Sequence, residues 1–113
     1  TGIYILGNSK YGGSINILLD NGHINASGSS SSNEAGIRIE NFKGTINITI
    51  KNHSNISSSD GYGLYFYNCS GKINIIKDNT STVTGKNNSN AIYISNSTVN
   101  VNGTNYTSTL AKI

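Results

Sequence analysis

Five carboxylates carry whatever acid–base or metal chemistry this chain can do: Asp20, Glu34, Glu40, Asp60 and Asp78. Sites that cleave glycosidic bonds need two or three such groups close together, one charged and one protonated. The spacing here offers no such set. Asp20 and Asp78 occupy one column of the repeat described below, with Lys51 between them. Glu40 follows Arg38 by two residues and faces outward, and its counterparts in later copies are Tyr67 and Ser95, not acids. Glu34 and Asp60 fall in turns. His23 and His53 occupy nearby corner positions, but with a lone Cys69 they make no zinc set. They read as solvated turn residues. Cys69 sits at a corner, sideways or outward, with no His or acid to activate it, and being single it forms no intrachain disulfide. The chain is therefore read as non-enzymatic, with no cofactor and no metal.

Binding chemistry is better represented. Tyr4, Arg38, Tyr65 and Tyr93 fall at equivalent positions of successive copies, as do Leu6, Glu40, Tyr67 and Ser95. Tyrosines beside arginine on a rigid face stack on sugars or bury into a protein partner. Tyr4, Arg38, Tyr65, Tyr67 and Tyr93 are the candidate ligand contacts. The competing reading is cross-strand aromatic stacking that only stabilises a sheet. The eight basic residues are scattered and the formal net charge is +3, so no nucleic-acid surface is expected.

These side chains need elements to hold them, and the sequence names the elements by repetition. Gly2-Ile3-Tyr4-Ile5 returns as Gly36-Ile37-Arg38-Ile39, Gly63-Leu64-Tyr65-Phe66 and Ala91-Ile92-Tyr93-Ile94, at offsets of 34, 27 and 28 residues. A second segment keeps step: Ile15-Asn16-Ile17, Ile46-Asn47-Ile48, Ile73-Asn74-Ile75 and Val99-Asn100-Val101. A third, weaker one reads Ile24-Asn25-Ala26, Ile56-Ser57-Ser58 and Val83-Thr84-Gly85, with a fourth copy sought in Tyr106 to Leu110. Alternation puts the Ile, Val, Leu and Phe of each segment on one face. One copy cannot bury that face alone, but strands stacked on their own copies about 4.8 Å apart can. The first copy is longer, and its excess is expected at Lys10-Tyr11-Gly12 and in the Ser27 to Glu34 loop.

Composition agrees: 19 Asn, 17 Ser, 10 Thr, 13 Gly and 17 Ile, with no Pro, Met or Trp. Such a chain favours strands and turns over helices. Asn41, Asn68 and Asn96 follow the first segment at the same position and are expected to point inward as a structural ladder at a bend. Asn8 is their displaced equivalent. Asn16, Asn47, Asn74 and Asn100 form an outward ladder, and Asn21, Asn52 and Asn79 a third. The Asn-x-Ser/Thr triplets follow from composition and carry no inference. The expected fold is all-β, a right-handed parallel β-helix of about four coils with three short strands each. It forms a single segment, residues 1–113, with coils at about 2–35, 36–62, 63–90 and 91–113, part of a longer solenoid. A sandwich, a leucine-rich repeat, a hexapeptide helix and a propeller each fit the period less well.

The units Gly2 to Ile5, Gly13 to Ile17 and Asn21-Gly22-His23-Ile24 resemble the β-helical passenger repeats of bacterial autotransporters and large surface adhesins. The likeness continues through Gly36 to Ile39, Gly44 to Ile48 and Asn55-Ile56, then Gly63 to Phe66, Gly71 to Ile75 and Ser81-Thr82-Val83. It implies an extracellular, cell-surface protein acting as an adhesin or rigid stalk. Its partners would be a surface glycan or protein, or neighbouring coils and other copies met through the ends. Two alternatives are a self-stacking fibre subunit and a polysaccharide-binding or -cleaving helix. No stretch is long enough to span a bilayer as a helix.

Overall fold

The computed structural model describes residues 1–8, 10–27 and 33–113. Among the described residues twelve strands make three sheets. The strands are β1 Ile3–Leu6, β2 Ser14–Asp20, β3 His23–Ala26, β4 Ala35–Glu40, β5 Thr45–Lys51 and β6 Asn55–Ser58. They continue with β7 Tyr62–Tyr67, β8 Ile73–Lys77, β9 Thr82–Thr84, β10 Ile92–Ser95, β11 Val99–Val101 and β12 Thr104–Tyr106. The first sheet runs β1-β4-β7-β10, the second β12-β11-β8-β5-β2 and the third β3-β6-β9. No helix among the described residues is long and apolar enough to cross a membrane.

The copies of each segment pair with one another in parallel. Ile3 stands beside Ile37, Ile37 beside Leu64 and Leu64 beside Ile92. In the second sheet Ile15, Ile46, Ile73 and Val99 form the matching row. The reason is burial: a one-residue slip would turn every isoleucine to solvent. Ile37, Ile39, Ile46, Ile50, Ile56, Leu64, Phe66, Ile92 and Val99 are fully buried.

The copies do not build the expected solenoid. The molecule is a compact all-β domain of three packed sheets, with extents of 34 × 29 × 22 Å, and it is no elongated right-handed β-helix of four uniform coils. The sheets hold four, five and three strands, and the second is mixed. After β11 the chain does not go on to a fourth copy of the third segment. It reverses at Asn102-Gly103, where both residues have positive φ (49° and 95°), and β12 returns antiparallel to β11. Asn-Gly favours this tight hairpin turn because both central positions need the left-handed region. Leu110 then pairs antiparallel with Ile92, and Tyr106, Leu110 and Ile113 pack on the core. The stretch Tyr106 to Leu110, expected to be a parallel strand of the third sheet, instead closes the end of the stack.

Asparagine makes the corners. Asn21, Asn41, Asn52, Asn68 and Asn96 all have φ between 47° and 56°. Asn tolerates this region better than other side chains with a Cβ because its short amide bonds locally. The Asn68 amide donates to Asn41 (3.3 Å) and the Asn96 amide to Asn68 (2.8 Å), so the corner ladder forms. Its members are only partly covered, and Asn96 is exposed. Asn8 does not join it; its carboxamide oxygen accepts from the Lys10 and Tyr11 amides. The outward ladder runs Asn74 to Asn47 to Asn16, each step 3.0 Å. Most of the Ser27 to Glu34 loop lies outside the described residues.

Candidate functional site

The first sheet aligns Tyr4, Arg38, Tyr65 and Tyr93 in register across β1, β4, β7 and β10. Alternation sends all four to the same outer face. The Arg38 guanidinium lies between two rings, 4.7 Å from the centre of Tyr4 and 5.1 Å from that of Tyr65. Tyr65 stacks on Tyr93 at 4.3 Å and meets Tyr62 edge-on at 6.1 Å. Cation–π and ring–ring contacts of this kind contribute about 0.5–1.5 kcal/mol each.

Glu40 completes the cluster. It stands two residues after Arg38 on the same face of β4, and accepts from Arg38 Nη2 (2.9 Å) and Nε (3.2 Å) and from the Tyr4 hydroxyl (2.5 Å). Burial works against its charge, but the Tyr4 hydroxyl and the Arg38 guanidinium outweigh that and hold the carboxyl below its ordinary range. In return the Glu40 carboxylate raises the Tyr4 phenol. Burial, then the neighbouring Tyr93, raises the Tyr65 phenol. The cluster is a neutral ion pair held under aromatic rings.

The candidate contacts therefore divide. Tyr65 is 5% exposed, and Glu40, expected to face outward, is 9% exposed beneath Tyr4 and Arg38. Tyr93 and Arg38 are partly covered. Tyr4 is 50% and Tyr67 38% exposed, and Leu6, one pair of residues along β1, is 61% exposed. The sequence reading missed Tyr62, which lies outside the four-residue repeat. The Tyr-Gly-Leu-Tyr-Phe-Tyr run is the sign that a fourth ring, Tyr62, flanks the column. Leu6 stands in the neighbouring row with Glu40 and Tyr67.

The remaining acids have fixed partners. Asp20 accepts from the Asn52 amide (2.7 Å), with Lys51 at 3.9 Å. Asp78 accepts from the backbone N–H groups of Asn52 (2.9 Å) and Thr80 (3.1 Å) and from the Thr80 hydroxyl (2.9 Å). These donors, the Asn52 N–H above all, hold Asp78 well below the usual carboxylate range. Asn52 thus lies between the two acids that share this corner. Glu34 accepts from the Thr1 hydroxyl (2.9 Å) and amine, and Asp60 from the Ser59 hydroxyl (3.1 Å). Among the described residues no three His, Cys, Asp or Glu groups gather as metal ligands do.

Cys69, expected to point sideways or outward at its corner, is buried. Its thiol contacts the Ile39 and Tyr67 carbonyls, and burial pushes its pKa up. Beside it a shallow groove of about 490 Å³ runs along the corner between the first and second sheets, lined by Asn68, Ser70, Asn96, Ser97 and Thr98. Its lining is polar and uncharged.

No family model, curated protein or solved structure matches the chain. The resemblance to autotransporter passenger repeats and large surface adhesins is overturned by the compact, end-closed domain, and the adhesin, stalk, fibre and polysaccharide readings that it carried fall with it. Stacking into a fibre would need two open ends, and residues 104–113 cover one of them.

Proposed function

We propose that this chain is a non-catalytic recognition domain that holds a protein partner on the outer face of its first sheet. The observation that carries the reading is the exposed trio Tyr4, Leu6 and Tyr67, set around an ion pair already neutralised by its own neighbours. A partner docking there would bury apolar and aromatic surface without stripping water from an unpaired charge. That is the arrangement in which aromatic anchors contribute most to binding. The stack beneath, Tyr65 on Tyr93 with Arg38 above, limits how far the anchors can move and so reduces the ordering cost of binding. The fixed donors on each acid and the buried thiol support a non-catalytic role. The single cysteine and the Asn, Ser, Thr and Gly content support an extracellular placement.

Peptide display tests this. Immobilised domain should enrich peptides with an apolar or aromatic core from a random library. Tyr67→Ala and Leu6→Ala should each weaken the selected peptides about tenfold or more. Ile76→Ala, on the second sheet and 60% exposed, should leave them unchanged. Peptides that ignore Tyr67 and Leu6, or no enrichment, would remove the proposal.

A further inference from the structure

The corner between the first and second sheets changes length along the stack. Tyr67 pairs with Ser95 and Ile73 with Val99, so residues 68–72 turn this corner in the third copy and only residues 96–98 in the fourth. The second copy is as long as the third, residues 41–45. These two long corners bond to each other. The Ser70 N–H donates to the Phe42 carbonyl (3.0 Å) and the Ile46 N–H to the Lys72 carbonyl (2.8 Å). The short corner follows only part of the way: the Asn68 N–H donates to the Ser95 carbonyl (3.1 Å) and the Cys69 N–H to Ser97 Oγ (2.9 Å). Between Cys69 and the strand pair Ile73 and Val99, no backbone bond joins the third corner to the fourth among the described residues.

The two missing residues leave a step. The groove beside Cys69 continues as a second hollow of about 600 Å³, and Ser70, Gly71 and Thr98 border both. The second hollow ends on Asn74, Asn100 and Asn105. The outward Asn ladder breaks there. Asn74 donates to Asn47 (3.0 Å), but Asn100 donates across the hairpin to Asn105 (2.9 Å) and not to Asn74. The Asn74 carboxamide oxygen and the Asn105 NH₂ are left without partners among the described residues. Charge is one-sided as well. Residues 7–14, 41–45, 68–72 and 96–98, which make this corner in its four copies, hold Lys10, Lys43 and Lys72 and no carboxylate. Asp20 and Asp78 belong to the corner between the second and third sheets, and Glu34 and Asp60 to that between the third and first. Lys43 and Lys72 are exposed and form no ion pair among the described residues.

We infer that this stepped groove is a second binding site, separate from the aromatic face, for an extended polypeptide segment that carries acidic side chains. A carboxamide offers the same donor and acceptor as a peptide unit, so the unpaired Asn74 oxygen and Asn105 NH₂ match one N–H and one C=O of a main chain. Gly71, in the middle of the step, makes no backbone bond of its own among the described residues and adds a further donor and acceptor to the lining. An extended segment repeats these groups at about 3.3 Å per residue and needs no deep pocket, which suits an open groove with polar walls. The lysines set the sign of the side chains. Lys72 lines the second hollow, and Lys43 adjoins Gly71, whose Cβ position lies 2.4 Å from the Lys43 carbonyl oxygen. Acidic side chains on the segment therefore meet two unpaired cations and no carboxylate of this corner. Tyr4, Leu6 and Tyr67 take no part.

Fluorescence anisotropy on the 113-residue chain, with a labelled peptide of alternating Glu and Thr as probe, tests the site. Binding should saturate with a dissociation constant below about 1 mM. The same peptide N-methylated at alternate amides keeps its side chains but loses donors, and should bind at least about tenfold more weakly. Replacing its Glu by Gln should weaken binding and remove the salt dependence. Ser70→Trp fills the step without removing a side-chain hydrogen bond, and Lys72→Glu reverses the charge at an exposed position. Each should weaken binding about tenfold or more, and Asn105→Ala about threefold. Leu6→Ala and Lys86→Ala, an exposed lysine beyond the third sheet, should change nothing. If Ser70→Trp does not fold by far-UV circular dichroism, Lys72→Glu and the N-methylated peptide decide. No saturation up to about 1 mM, equal binding of the N-methylated peptide, or indifference to both Ser70→Trp and Lys72→Glu would overturn the assignment. Loss of binding on Leu6→Ala with the groove variants silent would place the peptide on the aromatic face and overturn it too.

Discussion

At the β1-β2-β3 end the inward Ile3, Ile5, Ile15, Ile17 and Ile24 are only partly covered, while their counterparts one layer in, Ile37, Ile39, Ile46, Ile48 and Ile56, are at most 1% exposed. At the other end the last layer is almost as dry as the middle. Ile92 and Val99 are fully buried, and Val101 is 7% exposed, beneath β12 and Leu110. The same segment, with apolar residues at the same positions, is thus worth different amounts according to what lies beside it. Burial belongs to the neighbouring layer as much as to the side chain.

The largest test of that contrast is a matched pair of truncations. Ile48→Ala should cost about 2–5 kcal/mol in urea denaturation, and Ile17→Ala, its partner on the open layer, clearly less. Equal losses would mean that the open end is covered in solution. A second contrast uses backbone proximity. A Cβ at Gly71 would stand 2.1 Å from the Gly44 carbonyl oxygen, whereas at Gly12 the nearest atom is 3.7 Å away. Gly71→Ala should therefore destabilise by about 1–3 kcal/mol and Gly12→Ala by a small fraction of that, read from denaturation midpoints. Gly103→Ala attacks the closed end alone. The hairpin there needs φ of 95°, so the substitution should cost about 1–2 kcal/mol and speed amide exchange at Leu110 before it does so at Ile48.

Smaller effects separate polar from apolar cohesion. Asn74→Ala breaks its bond to Asn47 on the outward ladder and should cost about 0.5–1.5 kcal/mol. Acid titration addresses the aromatic face. Glu40 has a depressed carboxyl in the folded chain, so its contribution is complete above the unfolded carboxylate pKa of about 4.3 and is lost as pH falls through the folded value. The thermal midpoint should drop across that window, and Glu40→Gln should remove that share of the drop. A profile unchanged by Glu40→Gln would show that the ion pair contributes nothing to stability.

Much of the local order was legible in the residues. Four copies of one short segment named the rows of the first sheet, and the Ile-Asn-Ile motif named those of the second, because alternation leaves a single register that buries isoleucine. The repeated Asn marked where the chain bends, and the structure adds that these residues sit at positive φ, which few other residues accept. The global shape was not. A repeat specifies how layers pair but not how the last one is finished, and here a hairpin and a short tail turn an expected open coil into a closed end. Asn102-Gly103 between Val101 and Thr104 is the residue-level signal for that reversal. The site was half legible. Register gave the Tyr/Arg column, but the loss of Tyr65 from the surface depends on Tyr62 and Arg38 folding over it, which no spacing rule encodes.

The left-handed asparagines also bear on how the protein ages. Deamidation begins when the backbone nitrogen after an asparagine attacks its side-chain amide, and a glycine in that position makes attack easiest. Both Asn-Gly steps at corners have that nitrogen occupied. The Gly22 N–H donates to Ser54 Oγ at 3.0 Å, and the Gly103 N–H donates to Asn100 Oδ1 at 2.9 Å. Asn102 is doubly held, its amide bonded to both the N–H and the carbonyl of Lys77. Conversion to aspartate or isoaspartate at these two positions therefore waits on local opening, and its rate is a slow chemical clock for how often each corner comes apart.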